Sequence, residues 1–223
     1  MKKPTLWYSV VLCFAIVTLS NPATAQMRSG KLGVGVGGSA YLFNSDIGDG
    51  LMKAGGGLTL SYSAMEHLGL RALFGFGQLG WKTPDLHTNT TTMLSGNLYL
   101  SYDMIPHGSF NPFIFVGGGA AYFDPRSDQG ADLSSSNMAK FTPTASGGVG
   151  FDYFFSEFFS MTLSGEFVMT TTDKLDAWTI TKNQGISESF SRVNLEFRYY
   201  FFDQDYITKL LEALQARYKG KQH

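Results

Sequence analysis

The sequence predicts an all-β chain: an eight-stranded antiparallel transmembrane β-barrel, with an export signal before it and a short helix after it. Three observations predict this. Eight segments alternate large apolar residues with small or polar ones, so each strand presents one oily face and one wet face. Charged residues are 16 % of the chain, against about 25 % in soluble domains. After residue 25 no apolar run approaches the ~20 residues of a spanning helix. In lipid every backbone polar group must be satisfied within the protein, which leaves helices or closed barrels.

The chain opens with Lys2 and Lys3, an apolar run Leu6–Leu19 and the small-residue pattern Ala23-Thr24-Ala25. That run is too short to anchor the chain and has the form of a secretory signal cleaved after Ala25. The lone Cys13 falls inside it without the small preceding residue of a lipobox. The exported chain is therefore cysteine-free, which excludes disulfides, Cys-ligated zinc and thiol catalysis. Cleavage removes two lysines and moves the formal charge from −1 to −3. Without a basic excess, nucleic acid is not an expected partner.

The barrel is expected over 26–202. Strand one, about Gly30–Phe43, sets Leu32, Val34, Val36, Ala40 and Leu42 against Gly33, Gly35, Gly37, Ser39 and Tyr41. Strand two, about Ala54–Ser63, sets Leu58, Leu60 and Tyr62 against Thr59, Ser61 and Ser63. Strand three, about His67–Trp81, sets Leu68, Leu70, Ala72, Phe74 and Phe76 against Gly69, Arg71, Gly75 and Gly77. Strand four, about Thr91–Asp103, sets Leu94, Leu98, Leu100 and Tyr102 against Ser95, Asn97, Tyr99, Ser101 and Asp103.

Strand five, Phe113–Phe123, has no readable parity, because Phe113-Ile114-Phe115-Val116 is apolar on both faces. Strand six, about Thr144–Phe154, sets Ala145, Val149, Phe151 and Tyr153 against Ser146, Gly148, Gly150 and Asp152. Strand seven, about Phe158–Thr171, sets Phe159, Met161, Leu163, Phe167 and Met169 against Ser160, Thr162, Ser164 and Glu166. Strand eight, Arg192–Phe202, sets Val193, Leu195, Phe197, Tyr199 and Phe201 against Arg192, Asn194, Glu196, Arg198 and Tyr200.

The connections alternate. Those at 64–66, 104–112 and 155–157 are short; those at 44–53, 82–90, 124–143 and 172–189 are longer and polar. This asymmetry distinguishes periplasmic turns from extracellular loops and implies that both termini are periplasmic. A soluble barrel would carry many lysines and glutamates on its polar face. Here that face is mostly Gly, Ser, Thr and Asn, which suits a narrow interior. Tyr62, Tyr102, Tyr153 and Tyr199 lie on the apolar parity near the short turns, as an aromatic girdle at one membrane interface would.

Taken together, the signal, the eight alternating strands, the Gly-rich first strand, the Asn111-Pro112-Phe113 start of strand five and the aromatic last strand resemble the OmpA/OmpX-like outer-membrane β-barrels. The resemblance spans about Gly30–Phe202. It implies placement among outer-membrane lipid and lipopolysaccharide. It also implies that Leu195, Phe197, Tyr199, Phe201 and Phe202 form the signal read by the barrel-assembly machinery. The chain departs from many relatives by continuing past that strand.

For chemistry, Gly33–Gly38 and Gly75–Gly80 both match G-x-G-x-x-G, yet neither stands between a strand and a helix as a dinucleotide site requires. They read as space for large side chains across a narrow lumen, and no motif calls for a cofactor or metal. The inward charges Arg71, Glu166, Arg192, Glu196 and Arg198, with Asp103 and Asp152, must pair or hydrate. They read as a polar plug that sets register, with a gated ion path as the alternative. Pairing of strands seven and eight about their loop is expected to bring Glu166 beside Asn194 and diagonal to Arg192, and Asn194 should tolerate Thr. Lipid-modifying enzymes exist on barrels of this size and need a Ser/His pair with an acid. Only His87, beside Asp85 in an outer loop, is positioned for that, and it reads as an ordinary loop residue. The function expected is a non-catalytic envelope role through the outer loops, where Leu133, Trp178 and Ile180 are apolar. In the tail, 203–223, the period becomes helical: Ile207, Leu210, Leu211, Leu214 and Tyr218 form one stripe. It is expected to be an amphipathic helix that contacts the barrel, the membrane interface, a partner or a second copy.

Overall fold

The computed structural model describes residues 30–44, 49–82, 87–127, 129–133, 140–172, 175 and 188–202. The export signal expected at 1–25 and the helix expected at 203–223 lie outside them. The elements are β1 (Leu32–Asn44), β2 (Asp49–Ser63), β3 (Leu68–Lys82), β4 (Thr88–Asp103), β5 (Phe110–Arg126), β6 (Phe141–Phe154), β7 (Phe159–Thr170) and β8 (Ser189–Phe202). They pair antiparallel in chain order and close into a barrel, with β8 against β1. Closure leaves no sheet edge with unpaired amides facing lipid.

The alternation sorts side chains as the sequence requires. Val36, Leu58, Phe74, Phe76, Leu94, Leu98, Val116, Val149 and Phe197 are each more than half exposed on the outside. Thr59, Asn97, Ser101, Thr162 and Asn194 are buried inside. Strand five, unreadable from its sequence, turns Phe113 inward (1 % exposed) and Ile114 and Val116 outward. The neighbours decide this: Phe113 faces Gly150 of β6, which leaves room for its ring in the lumen.

Three details differ from the sequence reading. The strands extend further at the long-loop end: β2 begins at Asp49, so the β1–β2 connection is only 45–48. Gly50–Leu51 pair with β3 across a register irregularity before Gly55, which period-two reading cannot follow. Residues 110–112 belong to β5, where Phe110 faces Tyr153, leaving 104–109 as the turn. Finally, Glu166 stands directly opposite Arg192, and Asn194 faces Ser164. Counting back from the middle of the loop misplaces this pairing by two residues, because β8 starts earlier than its clear alternation does.

Candidate functional site: the lumen

The interior of the barrel carries the chemistry, and it has two tiers. Towards the short turns lies an ion-paired tier. Its first cluster centres on Glu166 of β7 and Arg192 of β8, whose carboxylate and guanidinium are in direct contact. The Tyr99 hydroxyl of β4 donates to the second oxygen of Glu166 (2.8 Å) and accepts from Arg192 (3.1 Å). Arg192 also reaches the Tyr41 hydroxyl (3.4 Å) and Ser95 Oγ (3.5 Å). One guanidinium thus ties β1, β4, β7 and β8 together.

The second cluster centres on Asp152 of β6. It accepts from Arg71 of β3 (2.9 Å), Arg198 of β8 (3.3 Å) and the Thr162 hydroxyl of β7 (2.5 Å). Arg198 reaches Glu196 as well (3.0 Å), and Asp103 lies 3.7 Å from Arg71. The Arg71 guanidinium also lies over the Phe113 ring, 3.7 Å from its centroid, a cation–π contact. All seven charged groups are buried. Removing such charges from water is costly unless they are paired and hydrogen-bonded, and here each arginine is.

Glycines make room for these side chains. Gly35 faces Arg198, Gly37 faces Glu196 and Gly148 faces Glu166 across their ladders. A Cβ on Gly77 would lie under 3.0 Å from several atoms of the Tyr41 ring. In the two G-x-G-x-x-G matches, Gly33, Gly35, Gly75 and Gly77 therefore mark inward positions beside bulky residues, while Gly38 and Gly80 fall on the outward parity.

Above this tier, towards the long loops, the lumen is apolar. Tyr41, Phe43, Leu79, Trp81, Met93, Ala121, Phe123, Val168, Leu175 and Phe190 form one fully buried cluster. Leu175 comes from the β7–β8 connection. Its amide donates to Glu188 (2.6 Å), and its carbonyl accepts from the Thr91 hydroxyl (2.6 Å). A purely polar plug did not anticipate this tier. Its signal was nonetheless present: Leu79, Trp81 and Phe190 continue the inward parity of Arg71 and Arg192 beyond the point where that face stops being polar.

The space left is small. A cavity of about 20 Å³ lies among Thr59, Tyr99, Glu166, Asn194, Glu196 and Arg198, and one of about 10 Å³ among Ser101, Asp103, Asp152 and Tyr200. The larger has room for about one water, and Thr59 Oγ1 there has no protein partner to compete for it. Among the described residues the lumen is filled by side chains that tie the strands in register.

A closed, lipid-facing barrel whose lumen is filled by its own side chains is the form of a small outer-membrane protein. The family of outer membrane protein beta-barrel domains matches residues 9–202. The chain belongs to that family, and it is an outer-membrane β-barrel. No curated protein matches it. Among solved structures it is similar to Neisserial surface protein A (TM-score 0.56, 10 % identity, 76 % of this chain and 97 % of that one). It is also similar to OprG of Pseudomonas aeruginosa (0.55, 14 %, 81 % and 100 %). The attachment invasion locus protein Ail of Yersinia pestis, solved with the heparin analogue sucrose octasulfate, is a further match (0.50, 14 %, 78 % and 99 %). At these identities the likeness is one of fold.

The other sequence-derived residues fall outside the lumen. Tyr62, Tyr102 and Tyr199 are exposed and Tyr153 half-buried, all at the short-turn end. Leu195, Phe197, Tyr199 and Phe201 face outward along β8. His87 is exposed beside the long loops, and Asp85, Trp178 and Ile180 lie outside the described residues. His67 and His107 meet Glu66 at the short turns, at the opposite end of the barrel from His87.

Proposed function

We propose that this protein is a non-catalytic scaffold of the outer membrane, closed to flow and acting through its long loops. The observation that carries this is the doubly filled lumen, where three arginines bound to carboxylates lie beneath an apolar cluster and the cavities beside them are about 20 and 10 Å³. The short turns and both termini face the periplasm, and the signal is cleaved after Ala25. Leu195, Phe197, Tyr199, Phe201 and Phe202 serve as the assembly signal, and Tyr62, Tyr102, Tyr153 and Tyr199 form the inner girdle beneath a lipopolysaccharide-bearing outer leaflet.

A sulfated ligand such as the sucrose octasulfate solved with Ail would have to meet cations at the long-loop rim that are partly neutralised by neighbouring carboxylates. Four described cations stand at that end, Lys53, Lys82, Arg126 and Lys140; of these, Asp124 holds Arg126 and Lys140 (3.0 and 2.5 Å) and Asp132 lies within 3.4 Å of Lys140. Two measurements test the reading. In planar bilayers the purified barrel should show no stable, porin-sized conductance. Lipid A mass spectra should be the same with and without the gene. Large steady currents would make Glu166 and Arg198 gate residues, and a change in lipid A acylation would make the protein an enzyme.

A further inference from the structure

The three short turns form an apolar rim that a water-facing surface does not need. Met65 stands in the β2–β3 turn, Met104 and Ile105 in the β4–β5 turn and Phe155 in the β6–β7 turn, each 48–63 % exposed. Each turn is closed by a backbone hydrogen bond. Met65 N–H donates to Leu68 O (2.9 Å), Met104 N–H to Pro112 O (2.9 Å) and Phe155 N–H to Phe159 O (3.0 Å). Glu66 joins two of them by its 2.8 Å contact with His107 Nε2. These side chains therefore stand exposed on three hydrogen-bonded turns around one end of the barrel.

We propose that the chain's own tail, 203–223, docks on this rim and lies across the short-turn mouth of the barrel. Four observations select it. The tail starts there, because β8 ends at Phe202 opposite Leu32, the first residue of β1. Its apolar stripe, Ile207, Leu210, Leu211, Leu214 and Tyr218, supplies the missing partner surface. Charge is complementary: the three turns carry Glu66 and Glu157 and no lysine or arginine, whereas at helical spacing Arg217 and Lys221 border the stripe and the tail acid Glu212 falls on the far side.

The lengths agree as well. A helix from Ile207 to Tyr218 is about 18 Å long, and eight tilted strands enclose a ring about 16 Å across. An isolated helix of that size is marginal in water. Tethered beside its surface it binds at a high effective concentration, which a second copy or a dissolved partner lacks. The docked tail would cover Asp152, Arg198 and the rest of the ion-paired tier from below.

The exported chain has no cysteine, so engineered pairs report without background. Full-length exported chain carrying Ile105→Cys and Leu211→Cys is placed in zwitterionic nanodiscs and oxidised. An intrachain disulfide should form roughly tenfold or more faster than for Ile105→Cys with Ala216→Cys, which sits on the opposite side of the helix. Adding Leu210→Asp and Leu214→Asp should abolish that advantage while the heat-modifiable barrel persists. An interchain disulfide would assign the rim to a second copy. Quenching of a fluorophore at position 211 by lipid-borne quenchers would assign the tail to the bilayer. Equal rates at 211 and 216, or no disulfide at either, would mean that the tail does not dock. Each of these overturns the proposal.

Discussion

Replacing Arg192 by Met should be among the most damaging single changes in the barrel. Arg192 is 1 % exposed, and it is the only cation in contact with Glu166, itself 5 % exposed, among the described residues. After the change the Glu166 carboxylate keeps one neutral donor, the Tyr99 hydroxyl at 2.8 Å. A buried charge that loses its partner typically costs about 3–5 kcal/mol. The cavity beside Glu166 admits about one water, which favours the lower half of that range.

The assay is equilibrium unfolding by urea in detergent or lipid, followed through Trp81, which is buried at the outer end of the lumen. With slopes near 2 kcal/mol per molar urea, the midpoint should fall by about 1.5–2 M. Arg192→Met combined with Glu166→Gln should be less stable than the parent, yet recover part of the single-variant loss, because the orphaned charge is gone. A midpoint shift below about 0.3 M for Arg192→Met, or strict additivity of the two changes, would refute the reasoning.

Other expectations follow from facing and contact. Arginine on the outside of β8 should cost most at Leu195, about 2–4 kcal/mol near mid-depth, less at Phe197 and least at Tyr199, by the same unfolding assay; a flat profile would undo the assigned membrane position. Asn194→Thr should cost about 1 kcal/mol, not be silent, because Asn194 accepts from Ser39 (2.6 Å) and reaches Ser164 (3.5 Å). Gly77→Ala should lose about 1–3 kcal/mol through its collision with the fully buried Tyr41 ring. Gly165→Ala, outward with nothing within 4 Å, should stay within about 0.5 kcal/mol of the parent.

At the outer rim, the hydrogen bond from Lys140, with support from Arg126, holds the Asp124 carboxyl below its ordinary value. Its contribution is complete above the unfolded value near 3.9 and is lost as pH falls through the lower folded one. Phe123 N–H, bonded to Lys140 O, should therefore exchange faster below about pH 4 after correction for intrinsic rates. Asp124→Asn should remove that pH dependence.

By itself the sequence determined the barrel, because lipid enforces a local rule. Every lipid-facing position must be apolar, and a strand's period of two makes that visible in residues such as Val193, Leu195 and Phe197 without knowledge of any neighbour. The inward charges were legible for the same reason, standing alone on the opposite parity. Only the closed structure decided which charge meets which, since Asp152, the partner that Arg71 and Arg198 share, lies on a strand far from both in sequence and is reached only through register and tilt. It also decided the parity of Phe113, where both faces are oily and the space above Gly150 settles the matter. It revealed the apolar outer tier, because inside a closed barrel packing can bury Phe43, Trp81 and Phe190 as firmly as lipid can. Period alone cannot distinguish an oily residue that faces the membrane from one that faces its own core.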